Sequence, residues 1–495
     1  MRSAVKSSPR IVFVSSEVVP FVKTGGLADV AGSLPPAMAR FGHEVTVILP
    51  AYRSVDRKRH PLSPRGAALD IPIGKGVKRG NILASDAIPD VSVRLIDQPE
   101  FFGREGLYDA GGREYADNAV RFSFFSRAVL ELIKQAGTPP DVIHCNDWQT
   151  GLIPVYLRTL YRQDPFFRKT RTVFTVHNVA YQGCFPPEVL RDVHLPDRLF
   201  VTEGGLEYYG RVSYLKGGIL FSDLITTVSP TYSREIQTEE YGYGLEGVLK
   251  SRSADLRGVL NGIDVQEWDP AEDPHLPGPI RSGSEGGKER AKRALLEACG
   301  LEYREGAPAL GVVSRLAIQK GFDLLEGAAP RMLDEEIRLI VLGQGEKRYA
   351  DFFRRLMRKY PDKVYFKQAF NNRLAHMIYG GCDLFLMPSR YEPCGLGQMI
   401  AMRYGTVPLA RRTGGLADTI RDEDGKRTGY LFRGYHQDEL LEAFYRVLKA
   451  YNHREEWREI MRRGMSGDYS WEVSALRYIG LYLRLLKGEF PHRSP

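Results

Sequence analysis

The sequence predicts an α/β protein of two Rossmann-like domains, each a doubly wound parallel sheet, facing one deep cleft. Three observations carry this. Short β-rich apolar runs alternate with amphipathic helical stretches, the pattern of parallel sheets with crossover helices. The runs fall into two series. Between the series lies Asp269 to Ala309, which opens with a stretch rich in proline, glycine and charge and reads as a linker or domain boundary. In such sheets ligands bind where strand C-termini face a crevice.

The first series places strands at 11–14, 45–49, 92–96, 141–145, 172–176 and 224–228. The second places them at 310–314, 337–342, 364–367, 384–387 and 407–409. Runs such as Val45-Thr46-Val47-Ile48-Leu49 are nearly all apolar, as strands buried on both faces must be. Helical periodicity appears between them, for example at 118–135, 320–333 and 437–450. One hexapeptide recurs: Thr24-Gly25-Gly26-Leu27-Ala28-Asp29 returns as Thr413-Gly414-Gly415-Leu416-Ala417-Asp418. Each copy follows a strand-like run and opens a helix-like one.

Composition bounds the answer. The 495 residues allow about three small units or two large ones. Apolar residues at 43% and charged residues at 26% exclude a disordered chain. Glycine is high, 50 residues, without a collagen period, so tight turns or close ligand approaches are expected. The net charge of +8 is interleaved with acids. Its densest run, Tyr52 to His60, reads as a solvated loop, so no nucleic-acid partner is expected. Five scattered cysteines without C-x-x-C argue against disulfides or zinc and for a reducing compartment. No apolar run suits a signal peptide or a membrane helix. A cytoplasmic protein without a membrane partner is expected.

Four groups of residues carry chemistry. Lys23-Thr24-Gly25-Gly26-Leu27 joins a strand to a helix start. There glycines admit an anion, helix amides and the dipole favour it, and Lys23 adds charge. Taken alone, it also reads as a plain glycine-rich turn. Arg315 and Lys320 flank a strand-to-helix loop and could clamp a diphosphate, or be two surface cations. Glu392-Pro393-Cys394-Gly395-Leu396 follows the strand 384–387. Glu392 could accept sugar hydroxyls while the Gly395 and Leu396 amides donate, or could simply be a helix-capping acid. His144 to Trp148 and His177-Asn178 sit at the predicted C-terminal edge of the first sheet. Asp147 beside Trp148 offers a carboxylate next to an aromatic face. Asp422-Glu423-Asp424 has D-x-D form but lies in a hydrophilic turn, so no metal is expected. Gly343-Gln344-Gly345 lacks the third glycine of a dinucleotide fingerprint.

In order and spacing, these pieces closely resemble the bacterial glycogen synthase and plant starch synthase family. The matching segments are Lys23 to Val30, His177-Asn178, Leu260-Asn261-Gly262-Ile263-Asp264, Ser314 to Gly321, Pro388 to Leu396, and Arg412 to Leu416. The resemblance implies a GT-B fold and a retaining transfer of glucose from ADP-glucose to the non-reducing 4-hydroxyl of an α-1,4-glucan. It implies domains at 1–258 and 259–470, with 471–495 a helix packing back on the first.

Roles follow from the same resemblance. Arg315 and Lys320 would bind the diphosphate, His177 would lie near the donor glucose with its carbonyl toward the reacting carbon, and Glu392 would position donor hydroxyls. Lys23, Gly25, Gly26, Asn261, Cys394, Gly395, Leu396 and Thr413 would meet the nucleotide-sugar. Asp147, Trp148 and Asn178 would face the acceptor. No cofactor or metal is implied. Position 400 is Ile where related GT-B families carry a second Glu, as in the synthase subgroup, and Gly397 is often Thr in relatives. A different nucleotide-sugar or acceptor is the alternative, since no residue can be argued to be adenine-specific. A non-catalytic binding protein on the same fold would be expected to have lost Lys23, Arg315, Lys320 or Glu392, and all four are present.

Overall fold

A computed structural model describes residues 8–283 and 285–490. The chain forms two compact units. The first holds the described residues up to Val228, then Ser233–Asn261 and the residues from Trp471. The second holds Ser229–Tyr232 and Gly262–Ser470.

In the first unit, parallel strands run side by side as Leu256–Gly258, Leu224–Thr227, Arg171–Val176, Val142–Asn146, Ile11–Val14, Val45–Pro50 and Ser92–Asp97. This is a doubly wound sheet whose order reverses between Ile11–Val14 and Val142–Asn146. Both of those strands are buried at every position, which is why their sequences are continuous apolar runs. Beyond Ser92–Asp97 the expectation of a purely parallel sheet is corrected. Gly76–Ser85 pairs antiparallel with it, and Ser63–Pro64 and Leu69–Ile73 pair antiparallel with Gly76–Ser85. Leu69–Ile73 alternates buried and exposed residues, so this edge faces solvent on one side, which antiparallel pairing tolerates.

The helix Trp471–Leu486 belongs to the first unit. Trp471, Ser474, Ala475, Tyr478, Ile479, Tyr482 and Leu485 are buried, a stripe at helical spacing. It packs on the helix Gly26–Arg40. Ser474 Oγ donates to the Leu260 carbonyl at 2.6 Å, and the Tyr482 hydroxyl meets His144 Nδ1 at 2.6 Å. His144, buried and bonded at its other nitrogen to Thr175, is therefore a structural histidine.

The second unit is a six-stranded parallel sheet in the order Val364–Lys367, Arg338–Leu342, Ala309–Val313, Leu384–Met387, Val407–Arg411, Tyr430–Phe432. The reversal lies between Ala309–Val313 and Leu384–Met387. The stretch from Asp269 to Ala309 is not a linker; it lies within this unit. Trp268 stacks on His376 with ring centroids 4.1 Å apart. Asp273 Oδ2 takes the Tyr404 hydroxyl at 2.6 Å and meets His376 Nδ1 at 2.7 Å. Lys292 pairs with Asp383 at 2.7 Å. Proline and glycine keep part of the segment irregular, while these anchors hold it. Among the described residues no helix is long and apolar enough to cross a membrane.

Removing the hydroxyl in Tyr482→Phe leaves the buried His144 without one partner. A loss of about 1–3 kcal/mol is expected, read as a lower urea midpoint. An unchanged midpoint would contradict the anchoring role.

Candidate active site

In each unit the expected chemistry gathers at the reversal of strand order. In the second unit, Ala309–Val313 leads into Arg315 and Lys320, and Leu384–Met387 leads into Ser389 and Glu392. A cavity of about 190 Å³ opens there, lined among others by Arg315, Lys320, Glu392, Gly395 and Leu396. Lys320 Nζ donates to Glu392 Oε2 at 2.6 Å, and Ser389 Oγ donates to the same oxygen at 3.0 Å. Glu392 is buried, so the pair is shielded from water and its attraction is strengthened. Arg315 is exposed and has no ion-pair partner among the described residues. The cavity thus offers one engaged cation and one open one. Among the described residues, nothing accepts from the Gly395 and Leu396 amides at the start of the helix Gly397–Arg403.

The repeated hexapeptide plays two different parts. In the second copy, a Cβ on Gly414 would stand 2.0 Å from the Glu392 carbonyl oxygen, and one on Gly415 would stand 2.0 Å from that of Cys394. These glycines let the helix Gly414–Thr419 press against the Glu392 loop and fix it. Thr413 and Cys394 are buried, so their side chains pack rather than line open space. In the first copy, a Cβ on Gly25 or Gly26 would meet nothing within 4 Å. Neither backbone conformation nor packing requires glycine there. Gly397 has a local cause: a Cβ would lie 2.9 Å from the Phe385 ring, so a larger residue would need that ring to shift.

The first unit gathers its groups after Ile11–Val14 and Val142–Asn146. The expectation that the loop amides await an anion is corrected for two of them. The buried Glu17 carboxylate accepts from the Thr24 amide, the Gly25 amide at 3.3 Å and the Thr24 hydroxyl at 2.6 Å. The Tyr108 hydroxyl donates to the same carboxylate at 2.7 Å. Lys23 is half-exposed and pairs with Asp29 at 2.6 Å. Burial raises the Asp29 carboxyl above its ordinary value, against the pull of Lys23.

Asp147 has a left-handed backbone, φ 54°. Its carboxylate accepts from the His177 amide at 2.8 Å. Burial pushes the Asp147 carboxyl up to about 7. Burial pushes the His177 imidazole down to about 3, so the ring is neutral. Its Nε2 meets Asn146 Oδ1 at 2.9 Å, and Asn146 Nδ2 donates to the Val14 carbonyl at 2.9 Å. Trp148 packs edge-on to Phe122 at 4.9 Å and tilts against Phe185 at 5.7 Å. Asn178 Oδ1 is spent on the Ala180 amide at 3.1 Å. Asn261 Oδ1 is buried without a hydrogen-bond partner, as is Gln149 Oε1.

The structure therefore joins Arg315, Lys320, Glu392, Gly395 and Leu396 at one reversal, and Asp147, Trp148, His177 and Asn178 at the other. The sequence motifs include Asn146 and Ser389 without assigning them a role, and do not include Glu17, Tyr108 or Gln149. The roles of Glu17 and Ser389 could have been found, since each lies just past a strand end. Tyr108 lies 91 residues from Glu17 and carries no local signal. Among the described residues no three His, Cys, Asp or Glu side chains group as metal ligands. Asp422 of the D-x-D run accepts from Arg427 Nε at 2.9 Å and the Leu431 amide at 2.9 Å.

Residues 10–251 match the family model of the starch synthase catalytic domain, and residues 301–464 match that of glycosyl transferases group 1. The glycogen synthase of Geotalea daltonii is 48% identical over 480 residues, covering 96% of this chain and 99% of that protein. The glycogen synthase of Moorella thermoacetica is 47% identical over 482 residues, covering 97% of each. The catalytic domain of starch synthase IV from Arabidopsis thaliana, solved with ADP and acarbose bound, superposes with a TM-score of 0.89 at 34% identity. That match covers 97% of this chain and 100% of that one. The two doubly wound units are those of a GT-B fold, and the chain belongs to the glycogen synthase and starch synthase family of glycosyltransferases.

Proposed function

We propose that the chain transfers glucose from ADP-glucose to the non-reducing 4-hydroxyl of an α-1,4-glucan, with retention of configuration, releasing ADP. The observation that carries this is the second unit's cavity, where an open Arg315 and a paired Lys320–Glu392 stand together. A diphosphate brings the counter-charge that Arg315 lacks. Lys320 can turn toward it, and Glu392 is then left to accept donor hydroxyls. Arg315 and Lys320 stabilise charge on the departing phosphate, and the Gly395 and Leu396 amides add donors. With two cations in these roles, the transfer requires no metal.

The bond from glucose C1 to the phosphate oxygen breaks with its electron pair going to that oxygen. The acceptor O4 bonds to C1 on the same face and gives its proton to the departing phosphate. The neutral His177 ring neither donates a proton nor repels a cationic sugar, and the family resemblance assigns its backbone carbonyl to the developing charge. Asp147 is assigned to the acceptor sugar by hydrogen bonding, and Trp148, buried with the Gly183 backbone against its ring, shapes that side of the site. Gly25 and Gly26, which nothing within the chain requires, leave room for substrate beside Lys23. Asn261, with its unpartnered oxygen, is assigned to the donor. The five cysteines are free thiols, in keeping with a cytoplasmic location.

Purified protein given ADP-, UDP- and GDP-glucose side by side with glycogen in EDTA should release nucleoside diphosphate fastest from ADP-glucose. No release from any of them would sink the proposal. Lys320→Ala should lower kcat by roughly 10²–10³ with a smaller change in donor KM; unchanged turnover would contradict the clamp. Asp147→Asn separates stability from activity. A carboxyl raised from 3.8 to about 7 favours the folded state while protonated, and that contribution is lost as pH rises through 7. The Asn variant should therefore melt roughly 2–4 °C higher at pH 8, lose that gain near pH 4, and elongate glucan more slowly. Equal melting at both pH values would refute the buried carboxyl's cost.

A further inference from the structure

Of the four tyrosines exposed among the described residues, three lie around one small antiparallel sheet of the first unit, Cys184–Phe185, Arg211–Ser213 and Glu207–Tyr208. They are Tyr181, 52% exposed, Tyr209, 77%, and Tyr243, 42%. Two of them sit in left-handed turns. Tyr209 has φ 47° and is followed by Gly210 at 76°; Tyr243 has φ 50° and is followed by Gly244 at 78°. Paired positive φ angles suit Asn-Gly or Asp-Gly, and a bulky aromatic there is strained. Turn formation alone does not account for two solvent-facing phenol rings held at such a cost.

The two turns also support each other. A Cβ on Gly244 would lie 2.8 Å from Tyr209 Cε2, so the Tyr209 ring rests on the Gly244 backbone. The Tyr208 hydroxyl and Gln182 Nε2 both donate to the Tyr243 carbonyl. Tyr208 and Tyr209 meet edge-on at 4.7 Å. The rings are thus positioned from beneath. The same segment leads to Trp148: a Cβ on Gly183 would stand 2.5 Å from the indole, so the backbone between Tyr181 and Cys184 lies on that ring.

We propose that Tyr209 and Tyr243, with Tyr181, form a stacking platform for internal sugars of an α-1,4-glucan whose end is held at Asp147 and Trp148. This rests on the glucan acceptor proposed above. Pyranose rings present apolar C–H faces that stack on phenol rings, while phenol hydroxyls bond sugar hydroxyls. A polymer meets several rings at once, whereas a short oligosaccharide reaches only the Trp148 end. The platform therefore makes the enzyme prefer long chains.

The test is the double variant Tyr209→Asn/Tyr243→Asn, in which Asn suits both left-handed turns. Its melting temperature should equal or exceed that of the unaltered enzyme; a fall would overturn the strain argument. Without donor, retardation in a glycogen-containing gel should weaken. With donor, KM for glycogen should rise roughly two- to tenfold, while kcat and KM for maltotriose stay unchanged. Unaltered retardation and glycogen KM would overturn the platform, as would a variant that only changes oligomeric state. Should the unaltered enzyme itself neither bind nor extend glycogen, the glucan acceptor is what fails, so the two failures are distinguishable.

Discussion

The reversal of strand order in each doubly wound sheet is the constraint from which the site follows. Crossover helices leave toward opposite faces on either side of that point, so strand ends there are not covered by a connection. In the first unit the gap lies beyond Val14 and Asn146; in the second it lies beyond Val313 and Met387. Glu17, Asp147, Arg315 and Glu392 all belong to loops that leave those ends. Strands buried at nearly every position set their positions, and the loops carry chemistry at little cost to the core.

Charge is handled differently in the two gaps. In the second unit the Lys320–Glu392 pair keeps a buried carboxylate satisfied. In the first, Glu17 occupies backbone amides at a helix start and is bonded by Tyr108 as well. A buried anion with several donors is stable where an isolated one is not. Asp147 is less well served, and its raised carboxyl shows it. A buried acid with a raised carboxyl beside an aromatic ring costs stability, as functional sites do.

Much of this was legible in the sequence. Strands buried on both faces announce themselves, and each one expected from an apolar run is present within a residue or two at its ends. The antiparallel edge is hard to read because Pro72 within Leu69–Ile73 and glycines at 76 and 80 argue locally against strands. The Asp269 stretch resembles a linker or domain boundary in sequence because its anchors, Trp268 and Asp273, meet partners more than a hundred residues away. The repeated hexapeptide opens a helix in both copies, as its sequence indicates, but identical residues serve packing in one copy and open space in the other. Only three-dimensional neighbours distinguish Gly414 from Gly25.

The helix Trp471–Leu486 follows the whole second unit in sequence yet completes the first, and its Tyr482 reaches His144 across 338 residues. On the ribosome, the first unit therefore emerges with the ground for that helix uncovered and stays so while the second unit is made. The second sheet, whose strands all lie between Ala309 and Phe432, can close earlier. The unit that starts first finishes last, and its exposed apolar stripe is a natural client for a chaperone during synthesis.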